Sequence, residues 1–126
     1  MNPSDLARYV GAAPTWLKDY RASGGTANPP NDTDLADTGP MEAGVYDIYF
    51  DFYSDGAANA GHFYIEWRNA LNTASNHEIA FVIQPVQERH FSWKGLHLAS
   101  NERIRIYVYS TFTGTINGSI LAIRRV

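Results

Sequence analysis

Residues 46 to 53 read Tyr-Asp-Ile-Tyr-Phe-Asp-Phe-Tyr, and this stretch decides the fold class. Its large apolar side chains fall at every second position from Tyr46 to Phe52, while two aspartates and two tyrosines fill the positions between and after them. A period of two is typical of a β-strand that buries one face. The stretch therefore predicts a strand with one side in a core and the other side outside it.

The same alternation recurs towards the C-terminus. It predicts strands over residues 62–69, 78–84, 89–94 and 103–109, and a last strand over 115–126 in which Leu121 and Ile123 face the core. Polar turns separate these strands, and no helical period lies between them. Six or seven strands spaced about 8 to 15 residues apart indicate an all-β sandwich or barrel rather than alternating helices and strands.

The N-terminal part of the chain follows a different pattern. Residues 5–10 and residues 14–21 each carry a short apolar stripe, and each stripe predicts one or two turns of helix. Residues 23–40 are rich in glycine, proline and acidic side chains, which predicts a linker. The sequence thus predicts an N-terminal arm and linker over residues 1–40 and a β-sandwich domain over residues 41–126.

Apolar side chains in the arm need a surface on which to lie, because helices this short are not stable alone. That surface is either the sandwich of the same chain or a neighbouring protein. The candidate arm anchors are Leu6, Tyr9, Trp16, Leu17 and Tyr20.

Composition excludes several kinds of partner. A net charge of −3 and a pI near 5.7 leave no basic surface for nucleic acid or an anionic membrane, and no segment approaches the ~20 apolar residues of a membrane span. The chain has no cysteine, which excludes disulfides and thiolate metal sites. It begins Met-Asn-Pro-Ser-Asp, without the basic and apolar stretches of a secretory signal, and we expect no cleaved leader.

No pattern of catalytic or metal-binding residues emerges. Asp47 and Asp51 share a strand face but stand roughly 13 Å apart, too far for paired acid/base work. No two of the four histidines have the close spacing that brings a pair of imidazoles to one metal, and no Gly-x-Ser-x-Gly elbow is present. The histidines are His62, His77, His90 and His97. We therefore expect no catalytic residue, no metal site and no cofactor; a small hydrolase or isomerase on a cupin-like barrel would need clustered ligands that are missing.

Outward-facing tyrosine and arginine side chains are the main candidates for binding. Tyrosine with arginine is the compositional signature of interface cores. The alternatives are stacking of the tyrosines on sugar rings, their burial under the second sheet or the arm, and cross-strand pairing of the arginines with Asp47 or Asp51. The candidate subunit-interface residues are Tyr49, Tyr53, Tyr64, Arg103, Arg105, Tyr107 and Tyr109.

Three segments resemble strands of the compact jelly rolls in tumour necrosis factor-like and complement-globular-head-like domains. They are residues 44–50 (Gly-Val-Tyr-Asp-Ile-Tyr-Phe), 96–106 and 118–126. In those families a G-x-Y-x-I-x-F strand opens the domain and an a-x-L-x-I-x-R strand closes it. The layout is also similar to that of tailed-bacteriophage capsid decoration, or cement, proteins. The resemblance covers residues 44–126 and implies an antiparallel β-sandwich of jelly-roll type with a partly helical or irregular N-terminal arm.

The resemblance also implies a function. Domains of this type are commonly trimers, and decoration proteins sit on the outside of a capsid and tie shell subunits together with extended terminal arms. We therefore expect a non-enzymatic virion protein, a homotrimer that binds the major capsid protein or another virion protein at the capsid surface and is assembled in the host cytoplasm. The alternative is a carbohydrate- or receptor-binding jelly roll, on a tail fibre or attached to a polysaccharide-active enzyme. That alternative needs a shallow groove with convergent aromatic and polar groups.

Overall fold

The part of the chain that the structure describes forms eight β-strands. The structure is a computed structural model, and it describes residues 17–27, 33–54, 61–83, 87–108 and 114–126. These segments contain no helix that could cross a membrane. The strands are β1 (Lys18–Ala27), β2 (Thr33–Asp37), β3 (Gly44–Ser54), β4 (Gly61–Arg68), β5 (Ser75–Ile83), β6 (Gln87–Leu98), β7 (Arg103–Val108) and β8 (Thr115–Arg124).

Two four-stranded antiparallel sheets make up the sandwich, with strand orders β1-β8-β3-β6 and β2-β7-β4-β5. The strands therefore pair from the chain ends inwards, β1 with β8, β2 with β7, β3 with β6 and β4 with β5. This nested pairing, with its Greek-key crossings between sheets, is the jelly-roll arrangement. The predicted fold class, an all-β antiparallel sandwich of jelly-roll type, is confirmed.

The core lies between the two sheets and consists of every second residue of the central strands. Strand β3 shows this most clearly, because its four alternating apolar residues are at most 2% exposed. Strand β7 has the same pattern, with Ile104, Ile106 and Val108 fully buried between partly exposed neighbours. The largest buried side chains are Tyr46, Phe50, Phe52, Phe63 and Met41. The predicted alternation from residue 46 onwards is thus the physical basis of the core.

The expected helix over residues 14–21 and the expected linker over residues 23–40 are wrong wherever the structure describes them. Strand β1 pairs with β8 in an unbroken register of ten residues, from Lys18 opposite Arg124 to Ala27 opposite Thr115. Strand β2 pairs with β7 through a bulge. Both strands lie at sheet edges, where backbone pairing with a well-formed neighbour substitutes for the apolar alternation that these residues lack. The sandwich therefore includes residues 18–37 and does not begin at residue 41.

The direction of the last strand was also predicted wrongly in part. Ile116, Ile120 and Ala122 point into the core, whereas Leu121 lies on the outer side of the sheet and remains partly exposed. Ile123 is 5% exposed, but it does not belong to the core between the sheets. Residues 120–123 are all apolar, so alternation alone could not tell the two faces apart; the pairing register with β3 does.

Candidate functional site

The predicted interface residues lie on two opposite surfaces of the sandwich. Tyr49 and Tyr53 are on the outer face of the β1-β8-β3-β6 sheet. Tyr64, Arg103, Arg105 and Tyr107 are on the outer face of the β2-β7-β4-β5 sheet. Tyr109 lies outside the described residues. A single flat interface therefore cannot contain the whole predicted set.

The outer face of the β2-β7-β4-β5 sheet carries a group of side chains that we call the Tyr–Arg face. It is built by β4 and β7, which pair directly, so that Tyr64 stands opposite Tyr107 and Glu66 opposite Arg105. The inward neighbours on the same strands are core residues, which fixes the outward direction of this set. The Tyr–Arg face consists of Tyr64, Glu66, Arg68, Arg103, Arg105 and Tyr107.

Glu66 is the centre of the Tyr–Arg face, and the sequence did not single it out. It points outward but is only 1% exposed, because Arg105 and Arg68 cover it. Arg105 donates hydrogen bonds from Nη2 at 2.7 Å and Nε at 3.2 Å to one carboxylate oxygen, and Arg68 donates from Nη1 at 3.0 Å to the other. The Ser75 hydroxyl also donates to the carboxylate. These hydrogen bonds from charged and hydroxyl donors compensate the buried carboxylate within the chain itself.

The electrostatics of Glu66 follow from this arrangement. Burial by itself would raise the pKa of the carboxyl group, but hydrogen bonds from Ser75, Arg105 and Arg68, together with the charge of Arg105, hold it below its ordinary value. Arg105 also pairs with Asp34 at 3.3 Å, and Arg103 pairs with Asp37 at 2.9 Å. The alternative of cross-strand pairing with Asp47 or Asp51 is wrong for Arg103 and Arg105, since those aspartates lie on the other sheet. Arg125, at the end of the chain, does pair with Asp47.

Two tyrosine rings stack beside this ion-pair network. The ring centroids of Tyr64 and Tyr107 are 5.0 Å apart with 17° between the ring planes, and the Arg105 guanidinium lies 4.9 Å from the centre of the Tyr107 ring. Burial raises the pKa of the Tyr107 hydroxyl, so the ring is neutral at physiological pH. The result is a continuous aromatic and guanidinium surface on one face of the sandwich.

The predicted arm anchors divide into two groups. Leu6, Tyr9 and Trp16 lie outside the described residues. Leu17 is 51% exposed at the start of β1. Tyr20 follows the first of the two alternatives, because its ring lies 6.2 Å from that of Tyr46 and its hydroxyl accepts a hydrogen bond from the Glu42 amide. Tyr20 therefore packs on the sandwich of its own chain.

Asp47, Asp51 and His90, on the opposite sheet, have individual partners. Asp47 accepts hydrogen bonds from Arg125 at 3.1 Å and from the Gly95 amide at 3.0 Å. Asp51 lies 2.5 Å from His90 across the β3–β6 pair. In the strand order Asp51 lies between Ser119 and His90. Nucleophilic catalysis by a serine–histidine–aspartate triad requires the histidine in the middle, so these three residues do not form such a triad. Among the described residues, no cluster of three metal-ligating side chains is found.

The pKa of His90 provides a direct test of its pairing with Asp51. The hydrogen bond to Asp51, opposed by desolvation and helped by the charges of Asp51 and Glu88, raises the pKa of His90 above its ordinary value of 6.5. Such a contribution to stability is complete below the unfolded pKa and is lost as pH rises through the folded pKa. We expect a histidine NMR titration to show a raised pKa for His90 that falls in Asp51→Asn. An unchanged pKa in this variant would contradict the pairing.

The comparisons with known proteins bear on the fold. Neither a family model nor a curated protein sequence matches this chain. Among solved structures, the Eiger TNF from S. frugiperda matches with a TM-score of 0.52 at 11% identity, covering 86% of this chain and 92% of that one. A human norovirus GI.7 Houston strain virus-like particle matches with a TM-score of 0.50 at 9% identity, covering 98% of this chain and 32% of that one.

A third structure is the N-terminal endo-1,4-beta-D-xylanase 10B of Clostridium thermocellum, whose CBM22-1 and GH10 modules were solved with xylohexaose. It matches with a TM-score of 0.50 at 16% identity, covering 86% of this chain and 25% of that one. At these identities the likeness concerns the fold alone. The chain has a jelly-roll fold similar to those of a TNF ligand, a viral shell protein and a module of a xylan-degrading enzyme.

Proposed function

We propose that this protein is a non-enzymatic virion protein, a capsid decoration protein of a tailed bacteriophage that binds the outer surface of the shell as a homotrimer. The observation that carries the proposal is the Tyr–Arg face, where a fully paired Glu66 lies beside the stacked rings of Tyr64 and Tyr107. Tyrosine and arginine are the residues that interface cores favour.

The Tyr–Arg face is suited to burial because its central charge is already removed from water. Taking a carboxylate out of water costs on the order of several kcal/mol, and this cost normally opposes the association of charged surfaces. Here Glu66 is 1% exposed within one chain, so a second copy would meet an ion pair whose desolvation is largely complete. The tyrosine rings add apolar contact area beside this network.

The N-terminal arm has a role in the same proposal. Leu17 is exposed where the described chain begins, and the segment before it holds the candidate anchors Leu6, Tyr9 and Trp16. In our proposal these side chains bind the major capsid protein, while the jelly roll holds the trimer together. A protein that binds only the assembled shell stabilises that shell by mass action. The fold likeness to a virus-like particle subunit is compatible with this role.

The proposal is tested with Tyr107→Ser and with its matched control Tyr53→Ser on the opposite sheet. Loss of a central interface tyrosine costs about 2 kcal/mol or more, which corresponds to roughly 30-fold weaker association. We expect sedimentation velocity to show a trimer for the wild type and for Tyr53→Ser, and dissociation for Tyr107→Ser. A native circular-dichroism spectrum excludes unfolding as the cause.

Binding to the shell is measured by co-sedimentation with capsids assembled from the major capsid protein encoded in the same genome. We expect saturable binding by the wild type, and loss of binding when residues 1–16 are removed. A monomeric wild type would overturn the homotrimer, and a trimer that ignores the capsids would overturn the decoration role.

A further inference from the structure

A second surface feature lies on the opposite sheet, at the end where β1 and β3 finish and β6 and β8 begin. Two rows of outward-facing residues cross all four strands there. One row, in strand order, is Ser23, Ser119, Asp51 and His90. The adjacent row is Gly25, Asn117, Tyr53 and Glu88. With neighbouring strands spaced about 4.8 Å apart, each row extends for roughly 14 Å.

These rows form a shallow open groove of about 520 Å³. Its floor is low because Ser23, Gly25 and Ser119 are small, while Tyr53 and His90 stand higher at the β3–β6 side. Gly25 matters for the shape, since a Cβ there would overlap the side-chain oxygen of Asn117. A neighbouring hollow of about 360 Å³ shares Ser23, Asp51 and Ser119 and continues along the sheet. Volumes of this size are typical of sites for small ligands.

The chemistry of the groove favours a neutral ligand with many hydroxyl groups. Asp51 and Glu88 offer charged acceptors, Asn117 offers both a donor and an acceptor, and the serines offer hydroxyls. No lysine or arginine lines the groove among the described residues. Arg21 lines the neighbouring hollow but pairs with Asp19 at 2.9 Å, and His90 lies between Asp51 and Glu88. An anionic ligand in the groove would therefore meet two carboxylates and only cations that are already paired.

Tyr53 adds an apolar surface to these polar groups. It is 43% exposed and lies in the middle of the second row, between Asn117 and Glu88. An exposed aromatic ring can pack against the C–H face of a sugar ring, while the surrounding carboxylates and amide bind its hydroxyl groups. Tyr49 lies two rows from Tyr53, and it is different because Lys94 covers its ring at 4.2 Å and donates to its hydroxyl.

We propose that this groove binds a neutral oligosaccharide, with Tyr53 as the stacking surface and Asp51, Glu88 and Asn117 as the hydroxyl-binding groups. The site goes beyond the proposed function, because it lies on the sheet opposite the Tyr–Arg face and needs neither trimer nor capsid. It would let a particle that displays this protein adhere to neutral glycans.

The test uses the full chain on a glycan microarray with neutral and acidic glycans, followed by calorimetry with the best neutral hit. We expect a Kd below about 1 mM for that glycan. Ser119→Tyr fills the groove floor and is expected to weaken binding at least tenfold. The matched control Ser92→Tyr, an exposed position on the same face outside the groove, is expected to bind within about twofold of the wild type.

Asn117→Ala provides a second variant in case Ser119→Tyr misfolds, since Asn117 is exposed and its side chain has no part in the core. We expect a loss of roughly tenfold from removing one hydrogen-bonding group. Absence of any neutral hit, a preference for acidic glycans, or binding that both groove variants leave unchanged would overturn the proposal. Sedimentation of the same variants shows whether the trimer persists, so the two proposals fail independently.

Discussion

Replacing Gly24 with alanine is expected to destabilise the folded protein by about 3 kcal/mol, the upper end of the range for inserting an atom into a packed interior. A Cβ at Gly24 would overlap the backbone carbonyl oxygen of Leu35. That carbonyl belongs to β2 in the other sheet, and it cannot move without shifting the strand. Gly24 also stands opposite Gly118, whose own Cβ would meet the Leu35 side chain at 2.9 Å. The two glycines allow β1 and β8 to lie close to β2.

Gly25→Ala is the matched control, one residue further along β1. A Cβ there would meet the Asn117 side chain, which can rotate, in addition to the Ile116 carbonyl oxygen at 3.3 Å. We expect a loss below about 1 kcal/mol, as for substitutions that need only a small adjustment. Urea unfolding followed by tryptophan fluorescence measures both variants. Equal stability of the two would show that the approach of β1 to β2 does not depend on Gly24.

Gly24 explains why the sequence predicts a linker where the structure has strand β1. The stretch Ser23-Gly24-Gly25 suggested a linker, because glycine-rich segments are flexible when nothing packs on them. In the structure Gly24 has no room for a side chain, because the backbone of Leu35 lies against it. Close approach between distant parts of a chain leaves no periodic signal, so β1 and β2 could not be predicted from local pattern.

The strands from residue 44 onwards could be predicted for the opposite reason. Their alternation is a direct consequence of having one face in the core, as in β3 and β7. Strand β8 is the exception. The four consecutive apolar residues 120–123 contain no alternation, so the direction of β8 is set by its pairing with β1 and β3 and is invisible in the sequence.

The candidate site was predicted only in part. Outward alternation correctly placed Tyr64, Arg105 and Tyr107 on one exterior face, but it also grouped them with Tyr49 and Tyr53, which lie on the other sheet. Sheet membership depends on strand order, which alternation does not encode. Alternation gives no sign that Glu66 is special; only the register that brings Arg105 beside it reveals that it is buried.

Glu66→Gln is expected to destabilise the protein by about 2–3 kcal/mol. Breaking a buried ion pair by removing one partner costs about 3–5 kcal/mol, because the remaining charge is left without compensation. Arg105 and Arg68 keep 16% and 13% of their side chains exposed, so water can compensate them in part and the expected loss lies below that range. Glutamine keeps the shape and one acceptor, which restricts the change to the charge.

The matched control is Glu78→Gln. Glu78 stands directly opposite Glu66 on β5 but is exposed, and we expect its replacement to change stability by less than about 0.5 kcal/mol. Chemical unfolding at neutral pH compares the two variants. A loss for Glu66→Gln no larger than that for Glu78→Gln would mean that the Glu66 network contributes nothing beyond an ordinary surface charge.

The pH dependence of the free energy of unfolding shows whether the loss in Glu66→Gln comes from the missing charge. The pKa of Glu66 is lowered in the folded state, so its contribution is present above the ordinary carboxylate pKa and is lost as pH falls through the folded value. The stability difference between wild type and Glu66→Gln should therefore shrink in acid, whereas a packing defect would persist at every pH.

Because the same carboxylate neutralises Arg68 and Arg105, Glu66→Gln should also leave the Tyr–Arg face with uncompensated positive charge. Covering this face with another copy would then take an uncompensated charge out of water, so the variant should form trimers less readily than its loss of monomer stability alone requires.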